Sequence, residues 1–121
     1  MAGTVTITEE TGMMQKVTFA WTSDWFGGDA DATTEHYFSG IVHRVVFIPG
    51  SGAAMPDDKY DVVIKDNDGV DILDNGGKNR SNAATEQITQ APISAIRKSQ
   101  LTLEVTNAGK GKTGTVIIYI G

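Results

Sequence analysis

The chain has no cysteine, three prolines, three leucines, two histidines and no long apolar run in 121 residues. The missing thiols exclude zinc ribbons, iron–sulfur sites, thiol catalysis and a disulfide-stapled scaffold, although they do not fix the compartment. The most apolar stretch, Ile41 to Ile48, is interrupted by His43 and Arg44. It falls far short of the roughly 20 residues that cross a bilayer, so no membrane partner is expected. The opening residues through Thr8 contain neither a basic segment nor an apolar run, and no signal peptide is expected. Basic residues are outnumbered, ten Lys and Arg against 15 Asp and Glu. A nucleic-acid coat needs a broad basic surface, so no nucleic-acid partner is expected either.

What the chain does have is β-branched residues: 21 Ile and Val with 14 Thr, accompanied by 14 Gly. Such residues suit strands, and the glycines suit tight turns between them. The length predicts one domain over 1–121, large enough to fold on its own core. Charge is split along the chain. Residues 1–75 hold 13 acids and four bases, whereas 76–121 hold two acids and six bases. Solvated loop charge explains such a split, and so does orientation against a charged partner.

Alternation places the strands. Thr4 to Thr8 alternates, Thr11-Gly12 turns, and Lys16 to Trp21 puts Val17, Phe19 and Trp21 on one face, a first hairpin. Asp24 to Asp31 reads as a polar loop. A strand follows from His36 to Ile48, bent at Ser39-Gly40, and another carries Tyr60, Val62 and Ile64 on one side. Asn67-Asp68-Gly69 turns into a strand at 70–73. Residues 75–100 are less legible, because Ile88, Ile93 and Ile96 fit neither period and Pro92 opposes a continuous helix; a short strand is expected near 85–90. Leu101 to Val105 and Thr115 to Ile120 read as a closing hairpin around a Gly-rich loop. The expected fold is therefore all-β: a single antiparallel β-sandwich, jelly-roll-like, of seven or eight short strands with little helix.

No catalytic constellation emerges, and no enzyme activity is expected. Gly111-Lys112-Thr113 ends like a phosphate-binding loop, but Thr106 stands where its first Gly belongs and a strand follows in place of a helix. His43 shares the strand side of Ile41, Val45 and Phe47, which suits a packed structural histidine. Asp57 and Asp58 are adjacent loop acids, more readily solvated than paired for glycoside chemistry. Asp66, Asp68 and Asp71 have the oxygen chemistry of a calcium loop but not the EF-hand spacing, and a hairpin turn accounts for them without metal. No cofactor is expected.

The residues best suited to a partner are Trp25 and Phe26, flanked by Asp24 and two glycines, together with Met13 and Met14 beside the first turn. Such side chains either fill a core or anchor an interface. Arg97, Lys98, Lys110 and Lys112 supply the basic counterpart.

Several segments match a wider pattern: Gly3 to Thr8, Phe19-Ala20-Trp21-Thr22-Ser23-Asp24, and Tyr60-Asp61-Val62 leading to Asp68-Gly69-Val70-Asp71-Ile72-Leu73. Gly77-Lys78-Asn79-Arg80, Leu103 to Gly109 and Lys112-Thr113-Gly114 before a β-branched strand continue it. In these the sequence resembles small β-rich structural proteins of tailed bacteriophages, most nearly a capsid decoration or cement protein. The resemblance implies a virion protein made in the bacterial host cytoplasm and carried on the capsid surface. Its implied partners are the major capsid protein and copies of itself, commonly as a homotrimer, and it carries no catalytic motif. A head-to-tail, collar or tail component is the neighbouring expectation. A carbohydrate-binding β-module, stacking sugars on Trp25, Tyr37 or Tyr119, is a third.

Overall fold

A computed structural model describes residues 3–89 and 94–121. Among the described residues nine strands form two antiparallel sheets: β1 Thr4–Glu10, β2 Gln15–Thr22, β3 Ala30–Thr33, β4 Phe38–Pro49, β5 Asp61–Lys65, β6 Glu86–Ile88, β7 Ser94–Ser99, β8 Thr102–Thr106 and β9 Thr113–Ile120. The larger sheet runs β1-β2-β9-β4-β6, with β7 also on β4, and the smaller runs β3-β8-β5. The sandwich thus has nine strands where seven or eight were expected. Its one helical element is a 3₁₀ turn at Gly52–Ala54 among the described residues.

The pairings nest as in a jelly roll: β2 with β9, β3 with β8, and β4 with β6 and β7. Alternation along each strand drives the layering. Val17, Phe19 and Trp21 of β2 and Val116, Ile118 and Ile120 of β9 point inward, meeting Val62 and Ile64 of β5 and Leu103 and Val105 of β8 in one core cluster. Trp21 packs against Tyr60 with ring centroids 5.5 Å apart. Neither the Trp21 Nε1 nor the Tyr60 hydroxyl has a hydrogen-bond partner among the described residues. Burial, then the Glu86 carboxylate, push the Tyr60 phenol up to about 12 against the opposing pull of Arg80.

The structure corrects several expectations. The β8 and β9 strands do not form a hairpin: β8 lies between β3 and β5, β9 between β2 and β4, and residues 107–112 cross from one sheet to the other. Residues 70–73 form turns, not a strand. Only Asp71 bridges to Lys65, while Ile72 and Leu73 plug the core consecutively, which a strand's alternation would forbid. His43 is exposed rather than packed. The β4–β9 register shifts between Val42 and Arg44, so Val42 and Val45 face inward three residues apart and His43 is turned out, its Nε2 3.1 Å from the Gly121 carbonyl. The bend at Ser39-Gly40 is a second register shift, with Gly40 at φ 137°. β3 falls partly in the stretch read as polar loop, and β7 in the illegible one. The expected strand near 85–90 appears as β6; Pro92 and Ile93 lie outside the described residues.

Candidate functional site

The structure divides the eight partner candidates between the two ends of the sandwich. Met13 and Met14 precede β2 and Trp25 and Phe26 follow it, so eight residues of strand, about 25 Å, separate them. Lys110 and Lys112 lie in the β8–β9 crossover beside Trp25. Arg97 and Lys98 lie in β7, where Lys98 donates its amide to the Ser39 hydroxyl near the methionine end. Each end therefore carries two apolar and two basic side chains. Met13 is almost wholly exposed, at 98%, whereas Met14 touches Gly121.

The aromatic end is the better built. Asp24 Oδ1 accepts the amides of Gly27 and Gly28, each at 2.7 Å, and of Asp29 at 3.4 Å, curling the chain so that Trp25 and Phe26 stand at the apex. Burial alone would raise the Asp24 carboxyl, but these amides outweigh it and hold the group below its ordinary value. The apex is fastened to the crossover. Ser23 donates its backbone amide to the Lys112 carbonyl at 2.8 Å, while its buried hydroxyl donates to the Gly109 carbonyl at 2.6 Å and accepts the Lys112 amide at 2.8 Å. Gly111 donates to the Asp24 carbonyl, and Ala108 to that of Gly28. Gly111, at φ 63°, also admits the Trp25 ring: a Cβ there would stand 2.9 Å from Cζ2.

Despite this support, Trp25 is 72% and Phe26 87% exposed. The rings do not fold back as a lid. Their apolar area projects from a loop whose backbone is already ordered, so ordering cost on binding is low. Grooves flank Phe26, one lined by Asp29, Asp31 and Glu104, the other by Asp57, Asn107 and Lys110. The Lys112 ammonium is tied to the Ala53 carbonyl at 3.1 Å.

The remaining candidates have structural occupations. Asp66 Oδ1 accepts the amides of Asp68 and Val70, and Asp71 those of Ile64, Leu73 and Asn75. These carboxylates turn inward on separate stretches of backbone, and no three acidic or histidine side chains gather around a point among the described residues. Asp58 Oδ1 accepts the Asn82 amide while the Asp57 carboxylate abuts Gly109. Tyr119 lies between Lys16 and Arg44 on the outer face of the large sheet, 5.8 and 5.3 Å from ring centroid to cation. It cannot share a sugar platform with Trp25.

Sequence reasoning missed Ser23, whose signal is faint: a lone serine after a strand. It also missed Glu9, an inward position on β1 whose carboxylate accepts the amides of Glu35 and His36 and meets the His36 ring at 2.9 Å. No family model, no curated protein and no solved structure matches the chain.

Proposed function

We propose that the chain is a bacteriophage virion structural protein, a capsid decoration or cement protein that binds and stabilises the major capsid protein shell. The observation that carries this reading is the Trp25–Phe26 apex, two large exposed rings on a loop held by Asp24 and Ser23, with Lys110 and Lys112 beside them. The resemblance in sequence supplies the virion setting. In this reading Trp25 and Phe26 enter a hydrophobic recess of the capsid lattice and the two lysines steer the approach to an acidic surface. A single such contact is modest. Several linked copies, a homotrimer in the proteins it resembles, gain avidity, and binding the closed lattice in preference to free subunits shifts the shell away from opening.

The test is occupancy on purified undecorated capsids at two salt concentrations, with thermal melts of the free variants. Each buried ring contributes about 2 kcal/mol or more, roughly 30-fold in affinity, against 0–1 kcal/mol for an exposed ion pair. Trp25→Ala with Phe26→Ala is expected to weaken attachment more than Lys110→Ala with Lys112→Ala, both variants staying folded. The lysine variant should lose the salt dependence of the on-rate. Wild-type occupancy by the aromatic variant refutes the anchor, and failure of the wild-type chain to bind capsids refutes the decoration role.

A further inference from the structure

The outward side chains of the large sheet form rows set by strand register. From the aromatic end they read Thr4, Thr22, Thr113; then Thr6, Ala20, Thr115, Ile48; then Thr8, Thr18, Ile117, Val46, Gln87, of which Val46 is already buried within the chain. None of these twelve residues is charged, although 21% of the chain is. A solvated outer sheet face normally alternates toward charged residues, partly to keep other sheets off. Here charge appears only in the next row, Glu10, Lys16, Tyr119, Arg44.

That row has a specific order, acid on β1, base on β2, ring on β9, base on β4. We propose that this face is the contact between two copies of the chain, related by a two-fold axis parallel to the strands. Such an axis keeps rows level and strand directions aligned while reversing strand order, so β1 meets β4 of the second copy and β2 meets its β9. Glu10 then stands across from the second copy's Arg44, and Lys16 across from its Tyr119. Both contacts occur twice. The uncharged rows meet as Thr6 on Ile48 and Thr18 on Ile117, methyl groups against methyl groups. A half-turn about an axis perpendicular to the strands through the middle of the patch would instead set the charged row against a threonine row, and one level with the charged row would set Glu10 on Glu10 and Lys16 on Lys16.

The patch spans four strands and four rows, about 19 by 25 Å, or roughly 500 Å² per copy against the roughly 800 Å² of a standard interface. The dimer is therefore weak and concentration-dependent. It uses no residue of the aromatic apex, so it stands independently of the proposed function and of any three-fold contact.

Sedimentation equilibrium from about 10 µM to about 1 mM tests it on the intact chain. Wild type should show a monomer–dimer equilibrium. Glu10→Arg and Arg44→Glu should each weaken it at least about tenfold, and the double reversal should restore it, because the pair is then reconstituted with opposite sign. Thr18→Lys should abolish it with an unchanged circular dichroism spectrum. Should that variant fail to fold, Ala20→Lys makes the same test. A monomer at every concentration, a trimer as the sole assembly, a dimer indifferent to Thr18→Lys, or a double reversal no tighter than the single ones would each overturn the proposal.

Discussion

Ser23→Ala removes one oxygen that joins two loops. The hydroxyl donates to Gly109 O at 2.6 Å and accepts from Lys112 N at 2.8 Å, and Ser23 is buried. Alanine fits the space but leaves a carbonyl and an amide without this partner. Unsatisfied buried groups cost about 1–3 kcal/mol each. These two lie in a partly exposed crossover where water can enter, so about 2 kcal/mol in all is expected. Unfolding entropy near 2.1 cal/mol/K per residue, applied to 121 residues, converts this to a fall in Tm of about 8 °C. Thermal melts followed by circular dichroism read the stability, and hydrogen exchange at the Gly111 and Lys112 amides reads the loop. Both amides should exchange faster, while those of β5 keep their protection. A Tm within about 2 °C of wild type together with unchanged exchange at Lys112 would refute the claim that Ser23 fastens the apex to the crossover.

Burial would raise the Glu9 carboxyl, but the amides of His36 and Glu35 and the His36 ring outweigh it and hold the group below 4.5. Its stabilisation is therefore complete above about pH 4.5 and lost as pH falls through the lowered folded value. Glu9→Gln should be less stable at pH 7 and show a flatter acid limb in chemical denaturation, and parallel pH profiles would disprove this. Tyr60→Phe removes a buried hydroxyl that has no partner among the described residues, so Tm should stay level or rise. Because the phenol is raised to about 12, wild type should lose stability from about pH 10 upward and the Phe variant should lose less; a Tm several degrees lower at pH 7 would reveal a hydrogen bond unaccounted for.

Strands were legible where apolar residues alternate, as in Val17-Thr18-Phe19-Ala20-Trp21 or Tyr60 to Ile64. They were illegible where packing needs little apolar area. β3, Ala30-Asp31-Ala32-Thr33, buries one alanine fully, and β7 sinks only Ile96 and Ser99, so neither carries a period-two signal. The bulge at His43 defeated a facing argument that assumed an unbroken period. Turn residues at 107–111 announce a change of direction, yet local chemistry cannot tell a hairpin from a crossover between sheets; that is decided by which strands β8 and β9 meet. The aromatic apex was visible as residue types. Its direction was not, since Ser23's grip on the crossover depends on a segment nearly 90 residues away.

The position of β9 has a consequence in time. It is the last of the nine strands to be made, yet it lies between β2 and β4 in the larger sheet. Until it emerges from the ribosome, the β1–β2 hairpin and the β4 strand have no neighbour to join them, and their inner faces, Phe19, Trp21 and Phe47, await Val116 and Ile118. Folding must close loops of about 90 residues before the sheet exists, which sets it among slow, non-local folders on the millisecond-to-second scale. During that interval the nascent chain presents unpaired strand edges to other chains, so yield in a host cell should depend on the rate of synthesis and on chaperone supply more than on the stability of the finished sandwich.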